Sequence, residues 1–136
     1  MNSYSEREYE LFSRLFILKE FSEKNIKKLS NIKVGIVGIG GIGCPLSQYL
    51  VCSGIKELVL VDGDIIENHN LNRQILFSLD DIKKKKVIVA KNKLNKINKN
   101  CNINIIDKNI NEKNIDELSN CSIIVDATDD WKTSKL

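Results

Sequence analysis

The chain has 136 residues, room for one domain with its own core. Hydrophobic residues make up 42% and charged residues 29%, the balance of a globular protein rather than a disordered chain. The formal charge of +3 is too mild to call for nucleic acid, no apolar run approaches the ~20 residues of a membrane span, and the N-terminal MNSYSEREYE has no leader pattern.

Leu11, Leu15, Leu18, Ile26 and Leu29 fall at helical spacing and predict one or two helices over residues 8–29, broken near Ser22. Residues 32–37, IKVGIV, read as a buried strand. A helix is expected over 41–53, with Pro45 in its first turn. ELVLVD, residues 57–62, is a second strand, and 63–79 is a loop with one helical turn. Val87, Ala90, Leu94 and Ile97 predict a helix over 84–98. A third strand at 102–106, a short helix at 111–118 and a fourth strand at 121–127 complete the pattern.

Strands alternating with helices imply crossover units and a parallel sheet, a Rossmann-like α/β fold. The expected division is an N-terminal helical segment, 1–30, and a Rossmann-like nucleotide-binding domain, 31–136. A complete doubly wound sheet usually has two more strands. The chain is therefore expected to hold the first part of such a domain, with an edge strand left to pair or aggregate. Cys44, Cys52, Cys101 and Cys121 form no Cys-x-x-Cys pair and read as reduced, cytoplasmic and mostly buried thiols. Cys44, at a helix start, reads as packing rather than reactive.

Gly38, Gly40 and Gly43 match G-x-G-x-x-G between the first strand and its helix. That spacing allows a tight turn, close backbone approach to a phosphate, and close helix packing. Asp62 ends the next strand, where an acid can accept hydrogen bonds from ribose hydroxyls. The motif alone does not choose among NAD, FAD and ATP. The stretch after Asp62 narrows the choice. Asp64, Asn68, Asn70, Arg73 and Gln74 lie in a polar loop, and Lys83, Lys84, Lys85 and Lys86 follow it. DATDD, residues 126–130, leaves the same sheet edge and offers carboxylates of the kind Mg2+ shares with phosphates. An arginine, a lysine and a strand-end aspartate around a glycine turn suit a triphosphate.

These residues resemble the ThiF/MoeB/HesA family, bacterial relatives of the ubiquitin-activating enzymes. The resemblance rests on GIGGIGCPLSQYLVCSGIKELVLVDGDIIENHNLNRQILF, on the spacing to Lys86 and on DATD, and it covers essentially the whole chain. It implies an ATP pocket shaped by Gly38, Gly40, Gly41 and Gly43. It gives the ribose to Asp62, lines the nucleotide with Asp64 and Asn70, places Arg73 and Lys86 on the triphosphate, and assigns Mg2+ to Asp129. Arg14 in the first helix would reach a neighbouring protomer's site, since such enzymes are typically homodimers. The implied reaction is adenylylation of the C-terminal carboxylate of a ubiquitin-like sulfur-carrier protein or peptide, with release of pyrophosphate. Longer relatives also carry a structural zinc, whose paired cysteines are absent here.

Three departures stand out. Asp130 replaces the family's asparagine, Ser134 its arginine and Lys83 its glycine. Lys83, Lys84 and Lys85 read as a solvated helix start, Asp126 as a strand-end cap, Trp131 as a packing residue, and His69 carries no catalytic part. The competing readings are an NAD- or FAD-binding oxidoreductase fragment, which leaves Arg73, Lys86 and Asp129 without a task, and a non-catalytic remnant.

Overall fold

A computed structural model describes residues 5–136. Strands β1 (Lys33–Val37), β2 (Glu57–Val61), β3 (Asn102–Ile106) and β4 (Ile123–Asp126) form one parallel sheet in the order β3-β2-β1-β4. The chain steps outward from β1 to β2 to β3, then returns to the other side of β1. Val37 lies opposite both Val61 and Asp126, so the ends of β1, β2 and β4 share one edge. The reversal of direction between β1 and β4 opens a crevice at that edge, as in other doubly wound sheets.

Alternation along the strands sorts their side chains onto two faces. Val34, Ile36, Leu58, Leu60 and Ile103 pack against helices α3 (Gly43–Cys52) and α4 (Lys86–Ile97) through Cys44, Val51, Val87, Ala90 and Leu94. Val37, Val59 and Val61 meet Ile110 and Leu118 on the other face. Burial pushes the Cys44 and Cys101 thiols up to about 11, so both are packing groups.

The N-terminal helices sit beside the sheet. Helix α1 (Glu6–Phe12) begins with a capping box between Ser5 and Glu8. Burial would raise the Glu8 pKa, but hydrogen bonds from Ser5 and Lys56 outweigh it and hold the carboxyl below its usual range. Its Oε1 lies 3.1 Å from Lys56 Nζ, tying α1 to the segment before β2. Helix α2 (Glu23–Leu29) follows Ser22, so the predicted break is present. Phe12 and Ile26, fully buried, contact each other's neighbours and face Gly54. The helical spacing through Leu15 and Leu18 was misleading: residues 13–18 are turns that wrap Leu15 and Phe16 around Phe12.

The predicted helix at 111–118 is reduced to a 3₁₀ turn, Ile115–Leu118. Asparagine side chains take over the backbone there. Asn114 Oδ1 accepts from the Asn111 N–H at 2.7 Å, Asn111 Oδ1 accepts from the Lys113 N–H at 2.9 Å, and Asn114 Nδ2 donates to the Asn109 carbonyl. Such local bonds compete with helix formation.

Helix α4 starts at Lys86, two residues later than the sequence suggests, because Lys83 is left-handed at φ 69°. Glycine would hold that conformation without the ~1–2 kcal/mol cost of a side chain. The side chain of Lys83 is exposed. Lys83→Gly is accordingly expected to raise unfolding stability by up to about 1 kcal/mol. Urea denaturation of the two chains measures this, and an unchanged midpoint would show that the conformation carries no strain.

Candidate functional site

The glycine turn joins β1 to α3 at the sheet's carboxyl edge. Gly38 has φ 94°, and a Cβ there would stand 2.9 Å from the Ala127 carbonyl oxygen of the β4 exit. Its N–H donates to the Val61 carbonyl at 2.8 Å. A Cβ on Gly43 would stand 2.0 Å from the Gly38 oxygen, so only glycine lets α3 begin this close to the turn. Gly40 and Gly41 differ. The nearest atoms to a Cβ there would be Gln74 Nε2 at 3.6 Å and Arg73 Cγ at 3.5 Å, ordinary contacts. The protein's own packing does not require glycine at 40 or 41, and both line the cleft. Helix α3 opens with Ile42, which gives no side-chain cap, and no acid stands in its first turn. The Cys44 N–H already donates to the Gly40 carbonyl and Pro45 has none, so this start offers an anion the Gly43 N–H and the positive dipole end.

Asp62 locks this turn to the next strand. Its Oδ2 accepts the Ile39 N–H at 2.8 Å and its Oδ1 accepts the Asp64 N–H at 2.8 Å. The side chain is buried. A carboxylate has about four acceptor positions, so two remain for a ligand.

The 63–86 loop is ordered by its own short ladder. The Ile66 N–H donates to the Lys84 carbonyl, the Lys83 N–H to the Ile66 carbonyl, and the Lys86 N–H to the Asp64 carbonyl. Asn70 is buried, and its Oδ1 accepts the Glu67 N–H at 2.8 Å, so it braces a 3₁₀ turn as well as lining the cleft. Arg73 runs its stem past Gly41, and its Nη1 donates to the His69 carbonyl and Asn72 Oδ1, both at 3.0 Å. The Lys86 side chain is 7% exposed, with Nζ 3.5 Å from Oδ2 of the exposed Asp64. Lys83 and Lys84 are solvated. Lys85 is not a purely solvated residue, since its Nζ pairs with Asp107 at 3.2 Å.

The third wall is the β4 exit. Asp126 caps it, accepting from the Thr128 N–H and Oγ1 and from Ser134 Oγ. Hydrogen bonds from Ser134 and Thr128 hold its carboxyl below the usual range. Asp130 accepts from Thr133 and from the Lys132 N–H, and these bonds lower its pKa too. Only Asp129 of this trio makes no hydrogen bond among the described residues, and it lines the cleft. Trp131 is 72% exposed with Lys135 Nζ 5.1 Å from its ring centroid, so it is not the packing residue the sequence suggests.

The enclosed cleft has a volume of about 570 Å³, within the usual range for small-molecule sites. Its walls bring together Gly38, Gly40, Gly41, Asp62, Asp64, Asn70, Arg73, Lys86 and Asp129. Gly43 lies behind the turn. Arg14, exposed in the turn after α1, is not among the lining residues. The structure adds Lys108, Asn109 and Ile110 at the β3 exit. The 91–114 stretch is rich in Asn and Lys, a composition that by itself reads as solvated surface. The available signal was position, because the β3 exit shares the edge of the glycine turn. Asn109 Oδ1 accepts the Gly63 N–H at 3.2 Å and joins the two exits.

Among the described residues, no group of three or more His, Cys, Asp or Glu side chains could hold a metal ion unaided. Asp129 therefore fits a Mg2+ whose other ligands are phosphate oxygens and water. No described helix is long and apolar enough to cross a membrane.

Known proteins resemble this chain in sequence and in fold. The profile of the ThiF family matches residues 12–136. A probable molybdopterin-synthase adenylyltransferase of Porphyra purpurea is 37% identical over 130 residues, covering 95% of this chain and 34% of the relative. The sulfur carrier protein ThiS adenylyltransferase of Escherichia coli K12 is 30% identical over 130 residues, covering 95% of this chain and 52% of the relative. The crystal structure of E. coli MccB with ATP superposes with a TM-score of 0.80 at 40% identity, covering 88% of this chain and 37% of that one. The chain thus spans between about a third and about half the length of these proteins.

The Asp62 lock makes a prediction that needs no ligand. Asp62→Asn turns one accepting oxygen into an N–H2 group facing a backbone N–H. A loss of about 1–3 kcal/mol in unfolding free energy is expected, read by urea denaturation. Full stability in the variant would show that the carboxylate does not hold the turn.

Proposed function

We propose that this chain, which belongs to the ThiF family, binds ATP at the glycine turn and supports transfer of its adenylyl group to a carboxylate. One observation carries the reading: Arg73 and Lys86 line the same cleft as Gly40, Gly41 and the uncapped start of α3. A dinucleotide site has no need of that pair of cations. The named relatives are adenylyltransferases, and the similar MccB crystal structure is of that protein with ATP.

In this reading the phosphates rest on Gly40 and Gly41, and the ribose hydroxyls take the free acceptor positions of Asp62. A carboxylate oxygen attacks the α-phosphorus. The bond from that phosphorus to the bridging oxygen breaks, and pyrophosphate leaves with the electron pair. Negative charge grows on the departing oxygens, where Lys86 acts as a point charge and Arg73 can grip two oxygens. Lys86 exchanges its Asp64 partner for phosphate, and Arg73 releases its own loop to do so. Asp129 would hold Mg2+, which supplies further charge neutralisation to the phosphates. Arg14 would act only from a second protomer.

The acceptor class follows the relatives. The name of the E. coli protein points to a sulfur carrier protein, and the C-terminus of such a protein or of a peptide is the carboxylate we assign. The chain covers 52% of that relative. Nucleotide binding is therefore the property to test first on these residues.

Titration with ATP–Mg2+ and with NADH, followed by calorimetry, should show preference for ATP. Arg73→Ala and Lys86→Ala should each weaken ATP about 10- to 150-fold, the range for a lost charged hydrogen bond. Preference for NADH, or ATP affinity indifferent to both changes, would retire the reading.

A further inference from the structure

The cleft contains a polar side chain to which neither the fold nor the proposed chemistry gives a task. Gln74 is 3% exposed and lines the cleft. Its Oε1 is buried without a hydrogen-bond partner among the described residues. Its Nε2 lies 3.6 Å from where a Cβ on Gly40 would stand. The backbone around it is fixed: its N–H donates to the Asn70 carbonyl at 2.9 Å, and its carbonyl accepts the Phe77 N–H at 3.1 Å.

Buried amides in folded proteins are almost always hydrogen-bonded, because leaving one unpaired forfeits its hydration. The Nε2 end, beside Gly40, makes no hydrogen bond among the described residues, and this donor, rather than the shielded Oε1, is the end a ligand in the cleft can meet. The surroundings choose the partner's chemistry. Gly40 and Gly41 leave backbone open beside the amide, and the first turn of α3 has no acid and no side-chain cap. Arg73, the residue just before Gln74, runs its stem along Gly41. Every one of these neighbours favours an acceptor-only, negatively charged group.

We propose that Gln74 is a ligand-contacting residue whose amide N–H2 donates to a phosphoryl oxygen of the nucleotide seated on Gly40 and Gly41. The inference rests on the nucleotide reading above and adds a neutral donor to its two cations. A neutral donor holds a phosphoryl oxygen in direction without adding net charge, which suits a group that must later leave as pyrophosphate or remain on the adenylate.

The test uses the full chain with two changes, Gln74→Met and Gln74→Glu. ATP–Mg2+ affinity is measured by calorimetry at about pH 8 and about pH 5.5, with circular dichroism recorded at each pH as a fold control. Methionine keeps the length and removes the donor, so about tenfold weaker binding is expected at both pH values. Glutamate presents a carboxylate to phosphate. It should bind more weakly than the methionine variant at the higher pH. Burial raises its pKa, so its deficit relative to the wild type should shrink at the lower pH as the carboxyl becomes a neutral donor. Wild-type binding with both folded variants within about twofold of it overturns this inference and leaves the nucleotide reading standing. So does a glutamate deficit that is the same at both pH values, or failure of both variants to fold, since either assigns Gln74 to packing. A wild-type chain that binds no nucleotide removes the nucleotide reading and this inference with it.

Discussion

The carboxylate of Asp62 holds the functional edge of the sheet together. One oxygen takes the Ile39 N–H inside the glycine turn, and the other takes the Asp64 N–H where β2 gives way to the long loop. Hydrogen bonds to a charged acceptor contribute about 1.5–3 kcal/mol each. Without them the turn would depend on the Gly38 N–H to Val61 contact alone to stay in register with β2. The same carboxylate is the one assigned to the ribose. In the reading proposed above, position and ligand recognition would be joined in one group, and the ribose would meet an acid that is already oriented.

From this lock the remaining walls follow by short local devices. The ladder between residues 65–66 and 83–85 turns a long polar stretch into an ordered loop. It delivers Lys86 as the first residue of α4, at the point where Asp64 can meet it. Asn109 ties the β3 exit to Gly63, and Ala127 abuts Gly38 from the β4 exit. Each of the four strand ends therefore touches a neighbour through backbone or a short polar side chain. The backbone of a cleft assembled this way needs little reorganisation on binding, and in the proposed reading only the Arg73 and Lys86 side chains would change partners.

Much of this was legible in the sequence where physics is local. Apolar runs gave the four strands, and their alternation with helices gave the parallel Rossmann-like sheet. The glycine spacing gave the turn. The misreadings share a cause: a hydrophobic or helical period that tertiary or side-chain contacts override. Leu15 and Leu18 kept helical spacing, yet Phe12 gathers the former into a turn. Asn111 and Asn114 broke a helix by bonding to backbone. Lys108 and Asn109 were passed over because their composition looked like solvated surface, and only the strand order shows that they exit at the functional edge. Gln74 was noted in the polar loop without a role, since burial of an amide is not visible in one sequence.

The electrostatics of the cleft explain why Arg73 and Lys86 are set so differently. Lys86 is 7% exposed and its partner Asp64 is 64% exposed, at 3.5 Å. Attraction to a carboxylate that stands in water is heavily screened, so it offsets only part of the cost of removing an ammonium from solvent. A phosphate inside the cleft would be screened less and would offer several acceptor oxygens. Arg73 is the reverse case. It is exposed, and its guanidinium is satisfied on one nitrogen by its own loop. It loses little by turning toward a ligand and gains a bidentate contact. One cation is thus fixed in place and under-compensated, the other solvated and free to swing. In the proposed reading the first would supply a standing attraction for phosphate and the second a group able to follow its charge as the bond to the leaving oxygen breaks.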